Sequence, residues 1–235
     1  MKRVCDVLIS LLIILPSIPF IVLILISVSI IIGDIPVLIQ DRKITLEKQR
    51  VKIFKIRTIK RSKQFIEIER SPSNIFYKED YNEHVPLFCK WLRKTGLDEI
   101  LQLINVIKGD MSLVGPRPLL ESDLAIMKKY EPDIYLRRTK IYSLPGISGN
   151  WQVNGDRGKG SQNLIELDEE YEKMKSTLMD IKIILRSVVI LLMARHSDSI
   201  VGNGTIRNTA KLRLAVEKDY YTSRGFKKHK HIPLF

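Results

Sequence analysis

The chain has 235 residues, enough for one domain of ordinary size with an appendage. Lys and Arg number 39 against 26 Asp and Glu, a formal charge of +13, and the 45% apolar content excludes wholesale disorder. The apolar residues are unevenly spread: the 27 positions between Asp6 and Asp34 carry no charge at all, which marks a membrane protein.

Lys2 and Arg3 precede this run, as they would in a signal peptide or an anchor. A secretory signal has an apolar region of roughly 7–15 residues. The stretch 7–32 is too long for that, although Ser27-Val28-Ser29 imitates a cleavage site. As a helix its 26 residues measure ~39 Å, ample to span hydrocarbon. Pro16 and Pro19 each remove an amide donor and clash one turn back, so a helix break is expected there. Ser17, between them, is positioned to satisfy a freed carbonyl. Cations flank the run on both sides: Lys2 and Arg3 before it, and Arg42, Lys43, Lys48, Arg50, Lys52 and Lys55 after it. Positive residues favour the cytoplasmic face. A re-entrant helix with both ends in the cytoplasm satisfies both flanks, whereas a straight span, the alternative, satisfies one.

Beyond Ile35, residues 36–40 and 51–58 read as short strands and 60–83 as a polar surface loop. A helix is expected to start near Thr95, where Thr95-Gly96-Leu97-Asp98 fits a capping form and Leu97, Ile100, Leu101, Ile104 and Ile107 recur at helical spacing. Lys108-Gly109 supplies its stop. A further helix is expected over 122–130, a glycine-rich loop over 145–160, and a helix over 166–195 broken near Asp180. Within the last, 181–193 is apolar but carries Lys182 and Arg186, too short a run to span. It fits an interfacial amphipathic helix, with a plain core helix as the competing reading. Cys5 and Cys89 are too few for a disulfide framework, and His84, His196, His229 and His231 show no metal-ligand spacing.

Asp98-Glu99 has a modest local explanation, because acids in a first helical turn complement the macrodipole. Its surroundings point further. Arg93 and Lys94 lie just upstream, and Gly115-Pro116-Arg117-Pro118 follows, with two prolines fixing the backbone around one arginine. A rigidly aimed guanidinium suits bidentate phosphate binding. Adjacent carboxylates among arginines on a membrane-anchored chain suggest phosphoryl transfer to a lipid.

Three runs make the pattern specific: Leu92-Arg93-Lys94-Thr95-Gly96-Leu97-Asp98-Glu99, Gln102-Leu103-Ile104-Asn105-Val106, and Lys108-Gly109-Asp110-Met111-Ser112-Leu113-Val114-Gly115-Pro116-Arg117-Pro118. Together they resemble the bacterial sugar transferase family, the monotopic phosphoglycosyl transferases that start surface-glycan assembly. The likeness extends from Lys2 to about Leu192, through Lys2-Arg3 with Asp6, Phe54-Lys55-Ile56-Arg57-Thr58, Pro145-Gly146-Ile147-Ser148-Gly149, Trp151-Gln152-Val153-Asn154-Gly155, and Leu167-Asp168 with Tyr171 and Asp180.

The resemblance implies an α-rich α/β monotopic membrane enzyme with a re-entrant helix in 1–34, a small cytoplasmic catalytic domain with short strands and amphipathic interfacial helices in 35–195, and a basic variable extension in 196–235. It implies that Asp98 attacks the β-phosphorus of a UDP-sugar, expels UMP and hands the phosphosugar to undecaprenyl phosphate. Glu99 would help to hold Mg²⁺, and Arg57, Arg93 and Arg117 would hold phosphates. The implied setting is the cytoplasmic face of the bacterial inner membrane, in exopolysaccharide, capsule or lipopolysaccharide synthesis, with no nucleic-acid partner. The chain departs from the family where Pro19 follows Ile18 instead of Ser, where Lys43 follows Arg42 instead of Gly, and where Asp156 separates Gly155 from Arg157. Two other readings compete: a membrane-tethered basic module binding anionic lipid or nucleic acid, and a glycosyltransferase that would release UDP instead of UMP.

Overall fold

The structure is a computed structural model that describes residues 1–60 and 85–193. Nearly all of the loop expected over 60–83 and the whole extension 196–235 lie outside the described residues.

The N-terminal helix α1 (Lys2–Ile32) contains both prolines without interruption. The break expected at Pro16 and Pro19 thus leaves no gap in the helical bonding; a proline removes one bond, and the long flanks carry the turn on. The carbonyls deprived of a donor are those of Leu12 and Leu15, four residues earlier. Ser17 satisfies neither: its hydroxyl donates over 2.7 Å to the carbonyl of Ile13. Along α1, Asp6, Ser10, Ile14, Ile21, Ile24, Val28 and Ile32 form one buried stripe at helical spacing. Leu12, Leu15, Phe20, Leu23 and Ile30 face outward, an apolar surface that water disfavours. The helix is long and apolar enough to cross a membrane.

Gly33, at φ +66°, ends α1, and the chain enters an antiparallel hairpin of β1 (Val37–Arg42) and β2 (Val51–Ile56), in register from Val37 opposite Ile56 to Arg42 opposite Val51. The expected strands are thus present, the first running on to Arg42 and the second ending at Ile56. Helix α2 (Leu87–Thr95) was not legible in the sequence. A 3₁₀ turn at Leu97–Glu99 leads to α3 (Gln102–Lys108), which ends at the expected glycine stop, Gly109. Helices α4 (Glu121–Tyr130) and α5 (Pro132–Thr139) follow, the second begun by a proline in its first turn, where no amide is needed.

The glycine-rich piece expected as a loop is more ordered than its composition implies. It contributes β4 (Gly146–Ser148), which runs parallel to β3 (Ser112–Val114), and then α6 (Asn150–Asn154) and a 3₁₀ turn at Arg157–Lys159. The expected terminal helix is two: α7 (Gly160–Met174) and α8 (Thr177–Leu192). They divide at 175–176, about one turn before Asp180, with the Ser176 hydroxyl accepting from the Met179 amide as an N-cap.

The main core gathers residues from α1, β2, α2, α3, β3 and α8, and a second cluster joins Leu119, Leu124, Met127, Tyr135, Trp151 and Leu164. Only Ile183 of α8 is buried, while Leu178, Ile181, Leu185, Val188, Val189 and Leu192 are exposed. That burial pattern rules out the core-helix reading.

The N-terminal end of α1 is tied down by a polar network. Arg3 donates to the carbonyls of Ile107 and Met111, a cation at the C-terminus of α3. Buried Asp6 accepts from the Ser112 hydroxyl at 2.6 Å, and Lys2 donates to Asp180 at 2.6 Å. Tyr171 bonds both Asp180 and the Val114 carbonyl.

Candidate active site

Thr95 is the last residue of α2, and its hydroxyl donates back to the carbonyls of Trp91 and Leu92. It caps no following helix, which corrects the expected capping box. Gly96 is responsible: at φ +68° it takes the left-handed backbone that ends a helix, closing on Arg93. The Glu99 amide then bonds the Gly96 carbonyl, so Asp98 and Glu99 ride on a tight 3₁₀ turn between two short helices. They are not the first turn of one long helix.

Glu99 accepts from Lys55 of β2 at 2.5 Å, and both side chains are largely buried. Asparagine 105 sets this pairing. Asn105 is fully buried in α3, donates to the Lys52 carbonyl at 2.7 Å and accepts from the Phe54 amide at 3.1 Å. These two bonds dock α3 along the free edge of β2 and thereby fix where Lys55 stands relative to Glu99. Strand alternation directs Arg57 to the same side as Lys55. Arg57 is itself buried, with its Nε on the Ile35 carbonyl at 2.9 Å.

One oxygen of Asp98 is shielded from solvent. Asp98 lies close enough to the Cys89 thiol to act on it, as does Arg93 from the last turn of α2. Burial pushes that thiol up to about 11, Arg93 pulls it down and Asp98 raises it further. Cys89 is thus a protonated packing residue behind the turn.

Arg117 belongs to a second cluster. Its guanidinium lies over the Trp151 ring, 5.1 Å from the centroid. The loop that carries it crosses 145–149 backbone against backbone: Gly115 donates to Ser148 at 2.9 Å and Gly146 to Pro116 at 3.1 Å. A Cβ on Gly146 would sit 2.1 Å from the Gly115 nitrogen, so only glycine permits this approach. Beneath the loop, Arg138 and Asp168 form a pair with side chains wholly excluded from solvent.

The structure therefore joins Glu99 to Lys55 and sets Asp98 and Arg93 each within electrostatic reach of the Cys89 thiol, while Arg117 is organised around Trp151. Lys55 was legible as strand-mate of Arg57. Asn105 and Asp168 stood in the runs that carry the resemblance, with no role assigned to them, and Arg138 gave no signal, since nothing local marks a polar residue as buried. Two adjacent carboxylates are a suitable hard-oxygen donor set for Mg²⁺, which needs only one or two and takes its other ligands from phosphate and water. Among the described residues no three His, Cys, Asp or Glu converge as a self-sufficient metal cage.

A sequence profile described as bacterial sugar transferase matches residues 1–194. The exopolysaccharide production protein ExoY of Sinorhizobium fredii is 30% identical over 204 residues, covering 83% of this chain and 87% of that protein. The UDP-glucose:undecaprenyl-phosphate glucose-1-phosphate transferase of Escherichia coli is 31% identical over 195 residues, 80% of this chain and 39% of its own length. The undecaprenyl-phosphate galactose phosphotransferase of Salmonella typhimurium is 38% identical over 104 residues, 44% and 20% of the two chains. The chain thus spans most of the first relative and about two fifths or less of the other two. The profile takes in the apolar helix, the Asp98–Glu99 turn and the Arg117 loop in a single match, and the chain belongs to the bacterial sugar transferase family.

Proposed function

We propose that this chain moves a sugar 1-phosphate from a UDP-sugar to undecaprenyl phosphate through a covalent aspartyl intermediate. A carboxylate oxygen of Asp98 attacks the β-phosphorus, the bond from that phosphorus to the bridging oxygen breaks, and UMP leaves with the electron pair. A phosphate oxygen of the lipid then attacks the same phosphorus and displaces Asp98, giving the diphosphate-linked sugar and restoring the carboxylate. Splitting the transfer lets one nucleophile serve both halves.

The observation that carries this reading is the Asp98–Glu99 turn with Lys55 on Glu99. Lys55 offsets one of two neighbouring negative charges, which eases the approach of a pyrophosphate. Glu99, with Asp98 beside it, is the group we assign to Mg²⁺; when bound, such an ion neutralises charge on the diphosphate. Arg57 and Arg93 supply further cationic charge near the turn, and Arg117 a fixed fork for phosphate.

The same reading has α1 re-enter the membrane and return to the cytoplasmic face. Supporting it, both ends of α1 meet the same body. Lys2 and Arg3 bond to α8 and α3, while Val28 and Ile32 are buried in the core that holds Ile53 and Ile56. A straight crossing would carry the first end to the opposite face, ~30 Å away. The exposed apolar side of α8 then lies in the interface. The relatives named for exopolysaccharide and undecaprenyl-phosphate chemistry support a role in starting a surface glycan.

The test is to incubate the purified protein with a UDP-sugar panel and no lipid acceptor, then to weigh the intact chain. The wild type should gain the mass of one phosphosugar and release one equivalent of UMP, and Asp98→Asn should do neither. Turnover by Asp98→Asn, or release of UDP, would refute the mechanism.

A further inference from the structure

The largest wholly buried side chain in the described residues is a charged one, Arg138. It sits in α5, and each of its three guanidinium nitrogens donates a hydrogen bond within the protein. Nη1 donates to Asp168 of α7 at 2.9 Å, Nε donates to the Ile44 carbonyl at 2.7 Å, and Nη2 donates to the carbonyl of Arg117. Both side chains of the ion pair are 0% exposed. The pair therefore touches no solvent and no face open to a ligand. What it does touch is the main chain of the one arginine held between two prolines.

A buried ion pair is a poor way to gain stability, because desolvation of the two charges offsets most of their attraction. Apolar residues of equal volume would serve a purely structural need as well. What apolar residues cannot do is hold a carbonyl oxygen at a set point. Pro116 and Pro118 restrict the backbone on either side of Arg117, and the Gly115–Gly146 crossing fixes one end of the loop. The Arg138 fork fixes the carbonyl between them. The direction of the Arg117 side chain, and its seat over Trp151 at 5.1 Å, follow from that anchor. Asp168 holds the fork in its plane.

We propose that Arg138 and Asp168 are positioning residues, which aim the Arg117 guanidinium by clamping its backbone carbonyl. The proposal rests on the reading of Arg117 as a phosphate-binding group. Neither residue is a catalytic residue.

The test compares three variants in a Trp91→Phe background, where Trp151 is the sole tryptophan: Arg117→Ala, the charge-free pair Arg138→Met with Asp168→Leu, and the combination of all three substitutions. The charge-free pair removes both buried charges together but leaves the Ile44 and Arg117 carbonyls without their donor, so it should lose a few degrees of Tm and stay folded. Its UMP-release kcat/KM should nevertheless fall ~10–100-fold, the scale of a misplaced substrate-holding group. The triple variant should lose less than about 2-fold more. The Trp151 emission of the charge-free pair should shift as it does in Arg117→Ala, since in both the cation leaves the ring. If the charge-free pair fails to fold, Arg138→Lys answers the question. A lysine keeps the charge beside Asp168 but has no fork to reach two carbonyls, so it should show the same emission shift. A folded variant with wild-type emission and wild-type kinetics overturns the proposal. If Arg117→Ala is itself fully active, the phosphate-binding role fails, and the emission result alone decides the positioning role.

Discussion

Replacing Gly146 by alanine should damage stability and activity together. The β-carbon would stand 2.1 Å from the Gly115 nitrogen and 2.2 Å from the Ser148 oxygen, where ordinary contact begins at 3.4 Å. Both obstacles are backbone, so no side-chain rotation relieves them: β4 must bend to clear its own Ser148 oxygen, and the two segments must part by about 1 Å or more to clear Gly115. Parting them strains or breaks the Gly146–Pro116 and Gly115–Ser148 bonds. Overpacking of this kind costs ~1–3 kcal/mol, and two backbone hydrogen bonds about 1 kcal/mol each. The expected loss is ~3–5 kcal/mol, or roughly 6–20 °C in apparent Tm for a chain of this length. Melting should be followed in detergent at one fixed scan rate, because unfolding of such a protein is under kinetic control. Gly33→Ala is the control. There nothing lies within 4 Å and only the positive φ opposes a side chain, so a loss of ~1 kcal/mol is expected. A Gly146→Ala protein melting within about 2 °C of the wild type would refute the steric account.

Arg117→Lys keeps the charge but loses the planar fork, so UMP-release kcat/KM should fall by the equivalent of ~1.5–3 kcal/mol; wild-type kinetics would mean that a point charge suffices. Asp6→Ala leaves the Ser112 hydroxyl buried without its acceptor and should cost ~1–3 kcal/mol, while Asp6→Ala with Ser112→Ala should cost less than the sum of the two, as a double-mutant melt would read. Bonds from Tyr135 and Lys128 hold Glu47 at about 2, against an ordinary 4.5. A lowered carboxylate contributes stability that is complete above 4.5 and lost as pH falls toward 2, so Tm should decline across that window and decline less in Glu47→Gln. Because Glu47 is about half exposed (54%), the effect should be no more than about 1 kcal/mol. For topology, single cysteines at position 2 and at Lys94 in a chain lacking Cys5 and Cys89 should both be shielded from an impermeant reagent in intact cells. Labelling of position 2 alone would establish a straight crossing.

Much of this protein is local and could be read without a structure. An uncharged run of 27 residues makes a helix long and apolar enough to cross a membrane, because that property requires nothing but length and apolarity. The hairpin strands, the stop at Gly109 and the helix before Pro132 follow from alternation and from glycine and proline chemistry. The Asp98–Glu99 pair and the Arg117 loop were visible as residues, since carboxylates and arginines in fixed spacing carry their chemistry with them. Their setting was not visible. Thr95 satisfied a helix-start pattern, yet Gly96 turned the chain and placed the acids on a 3₁₀ turn. Pro16 and Pro19 mark the point where α1 loses two donors, and helical bonding continues through them, because cooperative bonding on both sides outweighs that loss. The glycines of 145–149 read as a loop, and only a second strand brought from 112–114 made them half of a parallel pair. Arg138 looked like an ordinary helix charge, and Asp168 was legible as a motif residue without a role. Their burial depends on which helix packs on which, a property of long-range contacts, and no local pattern encodes it.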